Sequence, residues 1–271
     1  MTSTRIDVSG GHLVVKEEGT GDGAVVMLHA GVADHRMWDS VTATLRQGHR
    51  VVRYDLRGFG ESSPAAQPFR DADDLITVMD SLGVAEAVLV GASYGGKVVL
   101  EAAALHPDRV QGLVLFAPPR PGHEWSEAVE RYAEAEEAAL DAGDLDLAVR
   151  VNMDMWVRGP ERSWDEALGR HAEAIRESMR VSLANQKYRD EFGESPEPAF
   201  DDNLGTIETP AVVAVGTQDV VDFQQIAEHL AGSLPNAELV RFSGTGHLIG
   251  LERPDEAAQL VNAFLSRIQS A

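Results

Sequence analysis

The sequence predicts an α/β fold: a mostly parallel central sheet with helices on both faces and an inserted helical segment. Short apolar runs alternate with helical patterns from residue 12 to residue 116, which favours parallel strands joined by crossover helices. The alternation stops near residue 123, the pattern is helical to about residue 190, and the alternation resumes at residue 211. With 271 residues, 44% of them hydrophobic, the chain suits one large domain that carries an insertion.

Each element of the first half has a local reason. Residues 24–28, "AVVML", are continuously apolar, which is typical of a strand covered on both faces. The helical pattern of 34–48 ends at Gly48, and apolar side chains recur at helical spacing over 70–82. The predicted strands are 12–18, 24–28, 50–55, 86–90 and 110–116, and the predicted helices are 34–48, 70–82 and 95–106.

The insertion lies between two proline-rich stretches. It begins at "PPRPG", residues 118–122, and "GESPEPAF", residues 193–200, closes it. We assign residues 1–118 and 204–271 to the core and residues 119–203 to a helical cap. Open α/β sheets bind ligands beyond the carboxyl ends of their strands, so the cap is expected over that edge. After it the sequence predicts strands at 211–216 and 237–242 and helices at 223–233 and 254–268.

Composition excludes several classes of function. The formal net charge of −21 repels phosphate backbones, so we expect no nucleic-acid partner. No apolar run reaches the roughly 18 residues that span a bilayer, and the N-terminus has no apolar signal-peptide core, so no membrane association is expected. The chain has no cysteine, in keeping with a reducing cytosol. We expect a cytoplasmic monomer or homodimer that acts on a small molecule.

A serine lies at a tight corner between a predicted strand and a predicted helix. The residues Gly91-Ala92-Ser93-Tyr94-Gly95 fit the G-x-S-x-G nucleophile elbow, in the required strand-to-helix context. Side chains at 91 and 95 would collide with the neighbouring strand and helix, which explains the glycines. The backbone at such a corner is strained so that the hydroxyl projects above the sheet. Ser93 is therefore a candidate nucleophile.

A serine nucleophile needs a base and a group that orients the base. His247 follows the strand at 237–242, so it is expected at the same sheet edge as Ser93. Asp219 follows the strand at 211–216 and is the predicted orienting carboxylate, with Asp222 as the reserve candidate. The chain order serine, aspartate, histidine is the order expected for an α/β-hydrolase.

Four motifs together resemble the α/β-hydrolase superfamily, in its capped branch of esterases, lactonases and C–C hydrolases. They are "LHAGVADHRMW" (28–38), "DLRGFGES" (55–62), "GASYGG" (91–96) and "GTGHLIGLERP" (244–254). The resemblance covers essentially the whole chain outside the cap. Ser93 argues against epoxide hydrolases and haloalkane dehalogenases, which need an aspartate at the elbow.

The resemblance also implies an oxyanion hole. The residue after the nucleophile, Tyr94, would give one backbone N–H, and the loop after residues 24–28 would give the other. Family members usually read His-Gly-X there, whereas this chain reads His29-Ala30-Gly31-Val32. Counting back from Met37-Trp38 aligns Gly31 with the donor, and Val32 remains an alternative. His29 and Arg57 are expected to be architectural.

The predicted function is cleavage of an ester, thioester or lactone-type acyl bond of a small, largely apolar molecule, through an acyl-enzyme on Ser93. The same three residues would also serve a biosynthetic acyltransferase or cyclase, a C–C hydrolase or a perhydrolase, and an intact set disfavours a purely binding receptor. Trp125, Met155 and Trp156 are the predicted substrate contacts. They belong to a larger set of candidates in the cap that also contains Tyr132, Met153 and Trp164. The histidines are scattered and no phosphate-binding loop is evident, so no metal and no cofactor are expected.

Overall fold

Eight strands form one sheet in the computed structural model, which describes residues 2–21, 23–164, 166–195 and 200–270. The strands β3, β6, β7 and β8 coincide with the predicted ranges. Strands β2, β4 and β5 agree with prediction to within two residues, and β1 was not predicted. In chain order the strands are β1 (Thr2–Val8), β2 (Gly11–Glu18), β3 (Ala24–Leu28), β4 (Arg50–Tyr54), β5 (Ala87–Ala92), β6 (Val110–Phe116), β7 (Ala211–Gly216) and β8 (Ala237–Phe242).

The sheet is mostly parallel, as predicted. Its spatial order is β1-β2-β4-β3-β5-β6-β7-β8, and only the pairs β1–β2 and β2–β4 are antiparallel. Strand β1 lies at the edge and buries Ile6 among polar neighbours, so it lacks the apolar run that marks a central strand. The other six strands, β3 to β8, are parallel, so their carboxyl ends lie at one edge of the sheet.

Helices cover both faces of the sheet. Alternate residues of β3 divide between two buried clusters: Val26 and Leu28 pack with α2, α3 and α8, and Val25 and Met27 pack with α1 and α10. None of the described helices has both the length and the apolar composition needed to cross a membrane. The core helices are α1 (Asp39–Leu45), α2 (Asp71–Ser81), α3 (Tyr94–Leu105), α8 (Val221–Ser233), α9 (Ile249–Glu252) and α10 (Pro254–Gln269).

The first core helix differs from its prediction over 34–48. Residues His35–Trp38 form a 3₁₀ turn, and α1 begins only at Asp39 and ends at Leu45. Asp34 caps the 3₁₀ turn by accepting a hydrogen bond from the Arg36 backbone N–H. The tighter turn buries Met37 and Trp38 completely or nearly so.

Between β6 and β7 the chain is helical, and no strand occurs in the described part of residues 117–210. Residues 196–199 of the predicted proline-rich linker lie outside the described residues. We call residues 127–192 the inserted segment. It consists of α4 (Glu127–Asp141), α5 (Leu145–Asn152), a π-helical stretch (Met153–Arg158), α6 (Glu166–Ala184) and α7 (Gln186–Phe192).

Candidate active site

Ser93 occupies a strained corner between β5 and α3. Its backbone angles are φ 47° and ψ −117°, and Ala117 is the other non-glycine residue with a positive φ in the described part of the chain. The corner is fixed by hydrogen bonds from the Ser93 N–H to the Phe116 carbonyl at 2.8 Å and from the Gly96 N–H to the Ser93 carbonyl at 2.7 Å. Strain of this kind persists only where the surrounding structure enforces it, and it is concentrated at functional sites.

The glycines of the corner are required by close backbone contacts. A Cβ atom on Gly91 would lie 2.4 Å from the Gly95 carbonyl oxygen. A Cβ on Gly95 would lie 2.6 Å from the carbonyl oxygens of both Leu28 and His29 at the end of β3. The predicted reason for these glycines is therefore confirmed: α3 starts directly against the backbone of the neighbouring strand.

His247 and Asp219 meet at the same edge of the sheet. The imidazole Nδ1 lies 2.9 Å from Asp219 Oδ2, and both side chains are almost completely buried. The other carboxylate oxygen, Oδ1, accepts a hydrogen bond from the Val220 N–H at 2.8 Å. The imidazole packs against two aromatic rings, with its centroid 4.4 Å from Phe223 and 5.1 Å from Trp156. This arrangement holds the ring plane and its orientation.

The reserve candidate, Asp222, has other partners. Its carboxylate accepts hydrogen bonds from the Ser126 N–H and hydroxyl, both at 2.7 Å, and lies 3.2 Å from His123 Nε2. Burial would raise the pKa of Asp222, but these hydrogen bonds outweigh burial and lower it. Asp222 thus holds the residues that lead into the inserted segment to the core, and the carboxylate beside His247 is that of Asp219.

Ser93 and His247 line one cavity of about 730 Å³ between the sheet edge and the inserted segment. Among the described residues no hydrogen bond joins their two side chains. Hydrogen bonds between catalytic groups are often long in unliganded enzymes and shorten when substrate binds. The Ser93 hydroxyl and the His247 imidazole thus share one chamber. We expect a hydrogen bond between them to form when substrate binds.

Three residues whose backbone N–H groups have no hydrogen-bond partner among the described residues line the same chamber. Gly31, Val32 and Tyr94 line the cavity, and no hydrogen bond in the described part of the chain uses their backbone N–H groups. Tyr94 is the first residue of α3, where an N–H has no acceptor within the helix. These free donors beside Ser93 suit an oxyanion, and Gly31 and Val32 both remain candidates for the second donor.

His29 and Arg57 are architectural, as predicted. His29 is fully buried; its Nε2 accepts a hydrogen bond from the Leu56 N–H at 3.0 Å and its Nδ1 lies 2.8 Å from the Ala30 carbonyl. The buried guanidinium of Arg57 pairs with Asp74 through two hydrogen bonds of 2.5 and 2.9 Å. Neither side chain lies on the cavity wall.

The aromatic wall of the cavity agrees only in part with the predicted substrate contacts. Trp125, Trp156 and Tyr132 line the cavity. Met155 does not, and this prediction needs correction: it is buried in the core, because neighbouring residues of a helix point in different directions. Of the larger set of candidates, Met153 is likewise buried in the core and Trp164 is 40% exposed.

Another wall of the cavity carries charged side chains, which were not predicted from the sequence. Asp71 accepts a hydrogen bond from the Tyr94 hydroxyl at 2.6 Å, and Glu101 pairs with Lys97 at 2.7 Å. Burial raises the pKa of both carboxyls, while the partner of each lowers it. Lys97 and Glu101 show a helical i, i+4 charge pair in the sequence, but nothing there indicates that the pair faces a ligand chamber.

Arg189 of α7 is a cation on this wall that has no acidic partner in the described part of the chain. Its guanidinium stacks on Phe59 at 4.3 Å from the ring centroid and donates one hydrogen bond, of 2.9 Å, to the Ser182 carbonyl. Within the described residues, no carboxylate lies within ion-pair distance of it. Burial lowers the pKa of Arg189, and the nearby Tyr94 and Asp71 act in the opposite direction. A guanidinium stays charged in such a setting, so its free donors can receive an anion.

A group of buried acidic and histidine side chains lies outside this cavity. One ligand atom each from Asp34, His35 and Asp55 falls within 4.8 Å of the others. The oxygens are already used, because Asp55 accepts hydrogen bonds from the His35 N–H and the Glu61 N–H, both at 2.9 Å, and His35 Nδ1 lies 2.7 Å from it. These contacts describe a structural network for the loop after β3 rather than an open metal site.

The same loop holds α6 against the core. Asp34 is buried and receives hydrogen bonds from the Arg36 guanidinium, at 2.8 and 3.0 Å, and from the Ser178 hydroxyl of α6 at 2.6 Å. Burial alone would raise its pKa, but these hydrogen bonds outweigh burial and lower the pKa to about 2. Asp34 therefore stabilises the junction between the loop and the inserted segment while it is ionised.

Together these features define a class of protein: an open α/β sheet with a serine on a strained strand-to-helix corner and a histidine–aspartate pair at the same edge. A model of the alpha/beta hydrolase fold matches residues 23–254. The chain therefore belongs to the α/β-hydrolase family.

Individual relatives act on different molecules. The chain is 27% identical to a 2-hydroxy-6-oxononadienedioate/2-hydroxy-6-oxononatrienedioate hydrolase of Pseudomonas sp., covering 95% of this chain and 93% of that one. It is 26% identical to a monoacylglycerol lipase of Xenopus laevis, covering 91% of this chain and 76% of that one. Among solved structures, a thermophilic esterase of Thermogutta terrifontis superposes with a TM-score of 0.81 at 25% identity, covering 99% of both chains. These relatives support hydrolysis in general and do not select one bond.

We expect Asp34→Asn to lower the free energy of unfolding by about 2 kcal/mol at pH 7, since a pKa unit corresponds to about 1.4 kcal/mol. A carboxyl whose pKa is lowered by folding stabilises the protein above its unfolded pKa, near 4, and this contribution is lost as the pH falls toward 2. The difference in unfolding free energy between the parent and Asp34→Asn should therefore shrink to about half at pH 3. Urea unfolding at both pH values measures it.

Asp146→Asn, which removes an exposed partner of Arg180, is the control and should change the free energy of unfolding by less than about 0.5 kcal/mol. A deficit of Asp34→Asn that is the same at pH 3 and pH 7 would show that lost packing, not lost charge, causes it.

Proposed function

We propose that this protein is a serine hydrolase that cleaves an ester, thioester or lactone-type acyl bond of a small molecule through an acyl-enzyme on Ser93. One observation carries the proposal: the strained Ser93 corner and the buried His247–Asp219 pair open into the same cavity. A nucleophile, a base and a group that orients the base are the minimum set for acyl transfer by serine.

The imidazole is set up as the base. With Nδ1–H donating to Asp219, the lone pair of Nε2 is left to accept a proton. His247 takes the hydroxyl proton as Ser93 Oγ attacks the acyl carbon, and Asp219 stabilises the imidazolium that forms. Substrate binding has to bring Oγ and Nε2 into hydrogen-bonding contact, because the unliganded side chains make none.

The negative charge of the tetrahedral intermediate falls on the former carbonyl oxygen. The unpaired N–H of Tyr94 and that of Gly31 or Val32 are placed to receive it, and α3 adds the positive end of its dipole. His247 then gives its proton to the leaving group. In the second half-reaction His247 activates water, which attacks the acyl-enzyme, releases the acid and restores Ser93.

The polarity of the cavity supports a substrate that carries a carboxylate, in place of the largely apolar molecule expected from the sequence. The two most buried carboxyls on the charged wall already have donors of their own: Tyr94 for Asp71 and Lys97 for Glu101. Arg189 is the cation left with free donors. A single guanidinium in partly acidic surroundings suits a monoanion better than a phosphate dianion.

The relatives add weight to this assignment. The relative from Pseudomonas sp. is named as a hydrolase of a dioate, a molecule with two carboxylates. The aromatic wall around His247 would then hold the apolar part of the substrate, and the Arg189 wall its acidic end.

We expect Ser93→Ala to abolish hydrolysis of an activated ester and Asp219→Asn to lower kcat by about 10³- to 10⁴-fold, because the imidazole loses its tautomer and the partner of its cation. Asp222→Asn is the matched control, since its carboxylate contacts His123 and Ser126, just before the inserted segment, instead of His247. It should keep kcat near that of the parent. Steady-state hydrolysis of a para-nitrophenyl ester, with thermal unfolding as a check of the fold, gives these values.

Parental turnover in folded Ser93→Ala would remove the proposal. Loss of turnover in Asp222→Asn with full turnover in Asp219→Asn would move the orienting carboxylate to Asp222.

We expect Arg189→Gln to lower kcat/KM for mono-para-nitrophenyl glutarate by about 10- to 100-fold, because a hydrogen-bonded charge pair is lost. The uncharged ester of the same chain length, para-nitrophenyl pentanoate, should be little affected. Arg180→Gln, on the surface of α6, is the control variant and should leave kcat/KM unchanged for both substrates.

If Arg189→Gln lowers kcat/KM equally for the charged and the uncharged ester, Arg189 only packs the inserted segment. A higher kcat/KM of Arg189→Gln for the charged ester would mean that Arg189 does not attract the substrate carboxylate.

A further inference from the structure

A buried ion pair connects the inserted segment to the loop that carries His247. Arg162, which follows the π-helical stretch, makes a two-pronged contact with Glu252 of α9: Nη1 to Oε1 at 3.0 Å and Nη2 to Oε2 at 2.6 Å. The two side chains are only 12% and 7% exposed. Paired guanidinium and carboxylate groups of this geometry are rigid as well as strong.

Glu252 also accepts hydrogen bonds from the backbone beside His247. Its two oxygens also lie 3.1 and 3.3 Å from the N–H of Gly246, the residue immediately before His247. Arg162 packs so closely here that a Cβ on Gly246 would lie 2.0 Å from its Nη1. One carboxylate thus joins a side chain of the insertion to the peptide group that leads into His247.

The same part of the insertion also contacts the imidazole itself. Trp156 lies in the π-helical stretch, 5.1 Å from the His247 ring between centroids. Arg158, two residues further on, donates a hydrogen bond of 2.7 Å to the Arg162 carbonyl. Residues 153–162 therefore approach His247 from its ring and from its backbone as one connected unit.

From this geometry we propose that Arg162 is a positioning residue: through Glu252 and the Gly246 N–H it sets the place of the His247 imidazole, so that docking of the inserted segment and placement of the base are coupled. The proposal rests on His247 being the base. Asp219 fixes the tautomer and tilt of the ring, and the Arg162–Glu252 pair fixes the backbone from which the ring projects. Without Arg162, Glu252 is a buried carboxylate without its cation and the loop has to move.

Arg162→Met, which keeps an unbranched apolar stem and removes the guanidinium, tests this coupling. We expect kcat for a para-nitrophenyl ester to fall by about 10- to 100-fold with KM within about twofold of the parent, since misplacing a catalytic group by about 1 Å can cost 10²-fold. Arg162→Lys should recover part of kcat, because an ammonium restores the charge without the two-pronged contact. Arg180→Met, in an exposed ion pair of the same segment, should match the parent.

A double variant separates coupling from general damage. If Arg162 acts through Glu252, Arg162→Met combined with Glu252→Gln should be no slower than the slower single variant. Three results would each overturn the proposal. They are a double variant whose loss of kcat equals the product of the two single losses, an Arg162→Met variant in which only KM changes, and an Arg162→Met variant with parental kcat.

Hydrogen exchange at the Gly246 amide gives a readout that needs no substrate. We expect it to exchange at least about tenfold faster in Arg162→Met than in the parent, because its acceptor is released. An unchanged exchange rate overturns the proposal even if Arg162→Met folds less well. A parent protein that cleaves no ester, with faster exchange in the variant, would count against the proposed function and leave this coupling standing.

Discussion

The close approach of Gly95 to the end of β3 is the constraint on which the site depends. Because Gly95 has no side chain, its N–H reaches the His29 carbonyl at 3.1 Å and α3 begins at the sheet edge. This contact forces Ser93 into the left-handed region and brings the first N–H of α3 beside the loop that contains Gly31. His29 in turn accepts the Leu56 N–H, so three neighbouring strand ends share one hydrogen-bonded network. Backbone contacts and the His29 side chain therefore place the candidate nucleophile beside the candidate oxyanion donors.

The chamber above this edge has two chemically distinct walls. Around His247 the side chains are aromatic, and Trp156 and Phe223 pack against the imidazole. On the other side Asp71, Lys97 and Arg189 supply charge, with Phe59 beneath the guanidinium. A chamber with one apolar and one charged wall orients a bifunctional molecule, because each end of the molecule is stabilised in only one direction. The inserted segment contributes to both walls, so its position relative to the sheet sets the size and polarity of the site together.

Much of this architecture could be predicted from the sequence, because the signals are local. Apolar runs and helical spacing located seven of the eight strands, and the G-x-S-x-G corner located Ser93. Strand β1 was missed because an edge strand carries no continuous apolar run. Met155 was misplaced because periodicity shows that a helix forms without showing which of its sides faces the chamber. The charged wall was missed because Asp71 and Arg189 are brought together by α2 and α7, which are more than a hundred residues apart in the chain.

The central claim is that Ser93 is a nucleophile activated by His247. Intact-mass measurement after incubation with a fluorophosphonate probe tests it most directly, because the probe reacts with an activated serine whatever the natural substrate is. The account predicts a single adduct on Ser93, and labelling that slows by orders of magnitude when His247 is replaced by alanine. A parent protein that stays unlabelled, or labelling at the parent's rate without His247, would contradict it.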